Sequence, residues 1–402
     1  MQAKRFSLFF LLVCCLTVGA QTVLFHTGDF TGYPYRIPAI ATAHNGDLIA
    51  LSDIRPCGND IGYGRVDILM RTSADNGQTW SYPTTVLAGT GEGEEAGYGD
   101  ACLVADRERN ELLLVCVSGD VPYWSSKIGH TQRIVCTHAT YDKRTRRWQW
   151  NKQPIDLTAQ IYETLLGNRI NGLFMGSGRI CQSRKVKVGN YYRIYGALCT
   201  HGGNFVIYSD DFGRNWNLLG TPTDSPAPKG DEPKCEELPD GSVLLSSRKD
   251  NGRWFNIFKY TDIKTAAGAW DTPVATEQVD GGIKTTSRGT NGEILIIDVV
   301  ETASGKNTIL ALQSLPAGPN RSNVTIYYKP FNTPADYDSS TAFSSHWEGD
   351  YQVSHTGSAY STMTLQPDKR IGFFYEEEPQ YYQMVYIPLT LETITSGKYR
   401  VR

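Results

Sequence analysis

The sequence lacks any excess of positive charge. Its 402 residues include 39 lysines and arginines against 42 aspartates and glutamates, which gives a formal net charge of −3. Proteins that bind nucleic acid or an anionic membrane surface usually present a broad basic field. The composition therefore argues against both kinds of partner, and an anionic ligand would have to be held by locally clustered arginines.

Several motifs that carry chemistry are also missing. The sequence has no HExxH, no GxSxG and no Walker loop, and its seven histidines are scattered without ligand spacing. Beyond residue 20 there are seven cysteines, an odd number with no CxxC pair, which argues against a disulfide framework and a zinc site. We expect most of them to be small buried hydrophobic residues in strands. The sequence thus predicts no metal and no cofactor, and the candidates for chemistry are Arg, Asp, Glu and Tyr.

The first twenty residues, MQAKRFSLFFLLVCCLTVGA, have the pattern of an export signal. Lys4 and Arg5 precede an apolar run, and the segment ends in the small residues Gly19 and Ala20. The apolar run is shorter than the roughly twenty residues that a membrane span requires. We therefore expect residues 1–20 to be a signal peptide and residues 21–402 to be one domain of an exported protein, whether periplasmic, cell-surface or secreted.

After residue 21 no segment shows sustained helical periodicity. Short apolar runs recur between clusters of Gly, Pro, Asn and Asp, among them DLIALSDI, ELLLVCVSG, YYRIYGALC, SVLLSSR and EILIIDVV. Such runs predict strands joined by turns. One segment, DLTAQIYETLLG at residues 156–167, predicts a helical turn or two. With 39 Gly and 23 Tyr, the composition also favours an all-β chain.

A repeated motif gives the number of strand groups. SADNGQTW at residues 73–80 and SDDFGRNW at residues 209–216 share the pattern Ser-x-Asp-x-Gly-x-x-Trp. Degenerate copies end at Trp148 and Trp270, so that Trp80, Trp148 and Trp216 are 68 residues apart and Trp270 follows 54 residues later. A repeat of roughly sixty residues holds a four-stranded sheet, and about 382 mature residues give about six of them. The spacing predicts a six-bladed β-propeller, since a β-helix has shorter repeats and paired β-sandwiches would not explain it.

The motif itself has the chemistry of a turn. Ser73 and Asp75 can bond the backbone of a tight turn, Gly77 can take positive φ, and Trp80 can return to pack on the sheet. We therefore expect Asp75 and Asp211 to hold hairpins away from any substrate.

The two boxes, with Tyr35-Arg36-Ile37-Pro38 upstream of the first, resemble the bacterial exo-α-sialidases (neuraminidases). The likeness runs from about residue 22 to the C-terminus, and that family has a propeller fold. It implies three arginines that clamp the carboxylate of a sialoside. These are Arg36 in YRIP, Arg248 at the end of DEPKCEELPDGSVLLSSR, and Arg321 in LPAGPNRSNVTIYY.

The same resemblance implies the reacting groups. RPCGND supplies Arg55 and the acid/base Asp60, while Glu232, sixteen residues before Arg248, is the base. In YSTMTLQPDKRIGFFYEE, Tyr360 matches the nucleophile.

Two further residues match more weakly. Asp100 in GYGDACLV and Trp124 would border the pocket for the N-acetyl and glycerol groups of the sugar. The choice of Glu232 over Glu236 and Glu237 rests on spacing, and we expect the latter two to flank a strand in solvent.

The chemistry of a sialoside requires residues of these types. Arginine is planar, permanently charged and multidentate, as recognition of a carboxylate demands. A neutral tyrosine does not meet the substrate's negative charge, and sialidases with a Tyr nucleophile are a known exception to the two-carboxylate rule. Because the pKa of tyrosine is about 10, the nucleophile needs a base, which Glu232 supplies. Asp60 would protonate the leaving oxygen and then activate water, so that two inversions give net retention.

Three functions remain open on these residues. The first is hydrolysis of terminal sialic acid from glycans, glycoproteins or glycolipids. The second is trans-sialylation, between molecules or within one. The third is a non-catalytic sialic-acid-binding lectin, against which the complete set of acid, base and nucleophile argues.

Overall fold

The computed structural model describes residues 20–29, 31–378 and 382–402. All of the predicted signal peptide except Ala20 lies outside this range. Strands dominate the described part of the chain, and no helix in it is long and apolar enough to cross a membrane.

Six largely antiparallel sheets make up the fold. The first strand, β1 (Thr22–His26), belongs to the last sheet. The next strands in chain order form blades 1 to 3. Blade 1 contains β2 (Tyr35–Thr42), β3 (Leu48–Ile54), β4 (Asp67–Ser73) and β5 (Thr84–Leu87). Blade 2 contains β6 (Tyr98–Ala105), β7 (Glu111–Ser118), β8 (Arg133–Asp142), β9 (Arg147–Trp150) and β10 (Ile155–Asp156). Blade 3 contains β11 (Leu173–Met175) and, after β12 (Gly178–Arg179), which pairs with β6 of blade 2, also β13 (Cys181–Val188), β14 (Tyr191–Thr200), β15 (Gly203–Ser209) and β16 (Asn217–Leu218).

The remaining strands form blades 4 to 6. Blade 4 contains β17 (Pro233–Glu237), β18 (Val243–Lys249), β19 (Gly252–Asp262), β20 (Ala267–Trp270) and β21 (Val274–Ala275). Blade 5 contains β22 (Ile294–Glu301), β23 (Asn307–Gly318), β24 (Ser322–Phe331) and β25 (Gly349–Gln352), and blade 6 contains β26 (Ser358–Leu365), β27 (Ile371–Glu377) and β28 (Gln383–Leu389). The last strand, β29 (Tyr399–Val401), returns to blade 5.

Helices in the described residues are short. The two α-helices are α1 (Ser340–Ser344) and α2 (Leu391–Ile394). A π-helical turn spans Gln160–Leu165, which confirms the helical turn predicted in residues 156–167. Single 3₁₀ turns occur at Gly93–Glu95, Tyr123–Ser125, Thr276–Gln278 and Pro334–Asp336.

The N-terminal strand closes the ring of blades. β1 pairs with β28, so the last blade combines the first and last parts of the propeller and has the order β1-β28-β27-β26. Pairing the first strand of the chain with the last strand of blade 6 prevents the ring from opening between its first and last blades. The predicted six-bladed β-propeller is therefore confirmed.

The hydrophobic core is divided among the contacts between neighbouring blades. Six large clusters of buried apolar residues each join two adjacent blades, and together they run once around the ring. Both faces of most blades are therefore apolar, and this is why the central strands read as continuous hydrophobic runs.

The four tryptophans mark four successive blades. Trp80 lies between β4 and β5, Trp148 lies in β9, Trp216 precedes β16, and Trp270 ends β20. Each is at the outer edge of its blade, so the spacing of about sixty residues is the spacing of the blades.

Both boxes form the predicted turn. Ser73 Oγ donates to Asp75 Oδ1 at 2.7 Å and accepts from the Gly77 N–H at 2.9 Å. Gly77 has φ 81°, and a Cβ there would lie 2.2 Å from the hydroxyl of Tyr386, so only glycine fits. The second box repeats these bonds with Ser209, at 2.8 Å to both partners.

Glu236 and Glu237 are not in solvent, and that prediction was wrong. They lie in β17 with 4% and 0% of their surface exposed. Glu236 pairs with Arg179 at 2.5 Å, and Glu237 accepts a hydrogen bond from the backbone of Arg184 at 2.7 Å. The innermost strand of a blade is covered on both faces, so a carboxylate there is buried and must be paired. Of the seven described cysteines, six are buried as expected, while Cys57 is partly exposed.

Candidate active site

All nine predicted site residues line one cavity of about 330 Å³. They come from five blades and meet where the loops of one face of the ring converge. They are Arg36, Arg55, Asp60, Asp100, Trp124, Glu232, Arg248, Arg321 and Tyr360.

Irregular backbone aims several of these side chains. The register of the ladder shifts within β2 after Arg36, within β6 around Asp100, and within β26 around Tyr360. Ile37, Asp100 and Arg321 also have φ near 60°, which is unusual for residues other than glycine. Bulges and strained φ angles cluster at functional sites because they redirect side chains out of the regular pleat.

A tyrosine and a glutamate share a hydrogen bond on the cavity wall. Tyr360 Oη donates to Glu232 Oε1 at 2.5 Å, and Arg248 Nη1 donates to Glu232 Oε2 at 2.9 Å. Tyr360 and Glu232 are each only 7% exposed. Burial, together with the neighbouring charge of Glu232, raises the pKa of Tyr360 well above its ordinary value, although three arginines oppose this. The phenol is therefore protonated near neutral pH, with its proton directed at a carboxylate that can accept it.

Three arginines from blades 1, 4 and 5 surround the tyrosine. The guanidinium carbons of Arg36 and Arg321 lie 5.6 and 5.9 Å from the centroid of the Tyr360 ring. Arg36 is paired with Glu376 and Arg248 with Glu232 and Asp231, whereas Arg321 has no carboxylate partner within 4.0 Å among the residues described. The cavity can therefore offer an unneutralised cation to an anionic ligand.

Glu376 joins the first arginine to the tyrosine, and sequence reasoning missed it. Glu376 is fully buried, and its Oε1 accepts from Arg36 Nε and from the Ile37 N–H, both at 2.8 Å. Its Oε2 accepts from the Tyr360 N–H at 3.3 Å. The only signal in the sequence was a carboxylate at the end of the apolar run FFYEE, which served to locate Tyr360 and was given no role.

Acidic residues surround Arg55 on another part of the cavity wall. Asp60 is on the loop between β3 and β4, and its side chain is 62% exposed. Its Oδ1 lies 3.2 Å from Arg55 Nη2 and accepts from the Ile61 N–H at 2.9 Å. Asp100 lies next to this pair, and burial, reinforced by the charges of Asp60 and Asp53, raises its pKa well above the ordinary value. This wall thus holds two neighbouring carboxyls, of which Asp60 is exposed to water and Asp100 has a raised pKa.

Aromatic and apolar residues form the third wall. Trp124 is 82% exposed, and its ring stacks on His201 with centroids 5.8 Å apart. Tyr123 meets Trp124 and Phe174 edge to face, at 4.8 and 5.0 Å. Ile61, Tyr123 and Phe174 were not predicted from the sequence, because single apolar residues in loops carry no pattern. No cluster of three or more His, Cys, Asp or Glu side chains that could hold a metal occurs in residues 20–29, 31–378 and 382–402.

The fold and the site together define a six-bladed propeller with an arginine-lined cavity beside a tyrosine–glutamate pair. No protein-family model matches the chain. It is similar to the sialidase of Micromonospora viridifaciens, with 28% identity over 359 residues that cover 86% of this chain and 50% of the relative. It is also similar to the sialidase of Paraclostridium sordellii, with 25% identity over 329 residues, 78% of this chain and 75% of the relative.

Solved structures agree on the fold. The intramolecular trans-sialidase of Ruminococcus gnavus superposes with a TM-score of 0.66 at 17% identity, covering 93% of this chain and 98% of that one. This chain spans about half the length of the Micromonospora relative. The likeness is thus to sialidases as a group, which include both hydrolases and intramolecular transferases.

Proposed function

We propose that this protein is a retaining exo-α-sialidase that hydrolyses terminal sialic acid from glycans, glycoproteins or glycolipids. One contact carries the proposal: Tyr360 Oη donates to Glu232 Oε1 at 2.5 Å within a cavity that three arginines line. A binding protein needs the arginines but has no use for a buried tyrosine whose proton is directed at a carboxylate. The sequence of residues 1–20 further leads us to propose that the protein is exported.

In the first step the substrate carboxylate binds Arg36, Arg248 and Arg321. Glu232 accepts the proton of Tyr360, whose oxygen attacks the anomeric carbon and forms a covalent bond to it. The bond from that carbon to the leaving oxygen breaks, and Asp60 protonates this oxygen. Because the nucleophile is neutral before attack, it approaches the anionic sugar without charge repulsion.

In the second step Asp60 removes a proton from water, and the water oxygen attacks the same carbon from the face that the leaving group occupied. The bond to Tyr360 breaks, and the phenol regains its proton from Glu232. Two inversions at one carbon leave the product with the configuration of the substrate.

The test is release of sialic acid from α2,3-, α2,6- and α2,8-linked substrates, with the first-formed product observed by NMR. We expect the α-anomer of the free sugar, before mutarotation. An anhydro sugar would instead identify intramolecular transfer, a sialylated acceptor would identify intermolecular transfer, and binding without turnover would identify a lectin. A parallel preparation of the Glu232→Gln variant is the control for contaminating activity.

A further inference from the structure

Blade 1 carries a buried carboxylate directly behind Arg55. Asp53 lies in β3 and has no exposed surface. Its Oδ2 accepts hydrogen bonds from Arg55 Nη2 and from the Asp100 N–H, both at 3.2 Å. Its other oxygen, Oδ1, is buried and has no hydrogen-bond partner among the described residues. Asp53 thus touches two residues of the cavity wall without being among the residues found to line the cavity.

One nitrogen of Arg55 serves two carboxylates. Arg55 Nη2 lies 3.2 Å from Asp53 Oδ2 and also 3.2 Å from Asp60 Oδ1. The side chain of Asp53 is fully buried, whereas that of Asp60 is 62% exposed. Water screens the attraction of an exposed carboxylate far more than that of a buried one. Arg55 is therefore held mainly by Asp53, and Asp60 receives only part of its positive charge.

The other charged groups around Asp53 and Arg55 do not neutralise Asp53. Arg36 is opposite Asp53 in the β2–β3 ladder but is paired with Glu376. Asp100 on β6 is another carboxyl of this wall, and burial together with the charges of Asp60 and Asp53 raises its pKa well above the ordinary value. The buried thiols of Cys102 and Cys116, on β6 and β7, carry no charge near neutral pH because burial raises their pKa.

Glu232, which precedes β17, also acts on this wall by raising the pKa of Asp100. Burial raises the pKa of Asp53 itself, although Arg55 and the Asp100 N–H oppose the rise. Among the described residues, Arg55 is thus the one cation within 4.0 Å of Asp53 and of Asp60, and its charge also acts on Asp100.

We propose that Asp53 is a positioning residue that divides Arg55 between two carboxylates and thereby keeps a proton on Asp60 for transfer to the leaving group. This rests on the proposed sialidase function. Without the charge of Asp53, Arg55 would pair with Asp60 alone and favour its ionised form, which has no proton to give. Loss of a neighbouring like charge acts in the same direction.

The experiment compares two substrates across the pH range. In α2,3-sialyllactose the leaving group is a sugar alcohol that needs a proton, whereas p-nitrophenol leaves from its sialoside without one. In Asp53→Asn, which keeps the shape of the side chain, we expect the basic limb of kcat/KM for sialyllactose to move to lower pH by roughly 0.5 to 1 unit. The limb for the nitrophenyl sialoside should stay in place.

A second variant, Arg55→Gln, should shift the basic limb of kcat/KM in the opposite direction. Arg55→Gln removes the cation that favours the ionised form of Asp60, so Asp60 should keep its proton to higher pH and the basic limb should move up. The matched control is Asp67→Asn. Asp67 is a buried carboxylate of the same blade that accepts from Arg65 and from the Gly89 N–H, outside the cavity lining. The basic limb of kcat/KM for Asp67→Asn should coincide with that of the wild type.

Each result decides the proposal. If Asp53→Asn lowers kcat/KM equally for both substrates without moving the basic limb, Asp53 has only a structural role. If Asp53→Asn does not fold, Arg55→Gln decides alone, and a limb that is unmoved or moves down overturns the proposal. A wild-type protein that cleaves neither substrate refutes the proposed function itself, a result distinct from any shift in the variants.

Discussion

Blade 1 presents aspartates at two places that are built in opposite ways. In the box turn, Asp75 accepts three hydrogen bonds, from Ser73 Oγ, the Thr79 N–H and Thr79 Oγ1, at 2.5 to 2.9 Å. In the cavity, Asp60 has one backbone donor and a share of one arginine nitrogen. Fifteen residues apart in sequence, one carboxylate is saturated with donors and the other is left open.

The same contrast holds for the other charges of the two regions. In the second box, Asp211 accepts four hydrogen bonds, from Ser209, Arg214 and Asn215. In and behind the cavity, the described residues leave Asp53 Oδ1 and Arg55 Nε without hydrogen-bond partners, and Arg321 without a carboxylate. A saturated carboxylate stabilises a turn, whereas unsatisfied polar groups can bind a ligand or move a proton. The boxes should therefore govern stability and the cavity should govern activity.

The largest effect is expected from removing one hydroxyl in the cavity. Tyr360→Phe deletes the attacking oxygen, and we expect kcat to fall at least a thousandfold while the fold is retained. The matched control is Tyr195→Phe, since Tyr195 is also buried and accepts one hydrogen bond, from Tyr260 at 2.9 Å, in blade 3. Steady-state kinetics and circular dichroism check both variants. Activity of Tyr360→Phe at the rate of the control would mean that the tyrosine is not the nucleophile.

A smaller effect should follow from removing a cation that makes no ion pair. Arg321→Ala should lower kcat/KM by about 10- to 100-fold, the worth of a hydrogen bond between charged groups, while the midpoint of urea unfolding stays close to that of the wild type. Arg193 is the contrast, because it is fully buried and forks onto Asp210 at 2.7 and 2.9 Å. Arg193→Ala should lower the free energy of unfolding by about 3 kcal/mol. If Arg321→Ala lowered the free energy of unfolding as much as Arg193→Ala, the contrast between cavity and scaffold arginines would be wrong.

The sequence predicted the scaffold and most of the cavity because both repeat or stand in motifs. The tryptophans at the outer edges of four blades mark the blade period, and the resemblance to the sialidase motifs located Arg36, Asp60, Glu232 and Tyr360. Each blade is a local unit, so order along the chain becomes order around the ring. The structure then brings the nine predicted residues to one cavity.

What escaped prediction depends on contacts between distant strands. Glu376 and Asp53 are buried carboxylates within apolar runs, and their partners, Arg36 and Arg55, become visible only when ladder registers and bulges are known. Glu236 and Glu237 were misread for a related reason. Adjacent charges usually face solvent. No local pattern shows that β17 is an innermost strand, or that Arg179 on β12 and Arg184 on β13 pair with its two glutamates.

The smallest effects are expected at the box turns, and only in stability. Asp75→Ala and Asp211→Ala should each lower the free energy of unfolding by about 1 kcal/mol and leave kcat/KM unchanged, because neither residue lines the cavity. Partial burial works to raise the pKa of both carboxyls, but the hydrogen bonds from Thr79 and Asn215 and from the box serines outweigh it and hold the pKa below its ordinary value.

The lowered pKa of these carboxyls determines how the loss of unfolding free energy in the two variants depends on pH. A carboxyl whose pKa is lower in the folded state stabilises the fold above its unfolded pKa, about 3.9, and loses this contribution as the pH falls through the folded value. The gap between wild type and variant should thus be full at pH 6 and shrink below about pH 4. Urea unfolding at pH 6, 4 and 3 measures it, with Asp60→Ala as the contrast. That variant should lose activity without showing this gap, and a pH-independent deficit in the box variants would mean that the turns are stabilised by packing and not by their carboxylates.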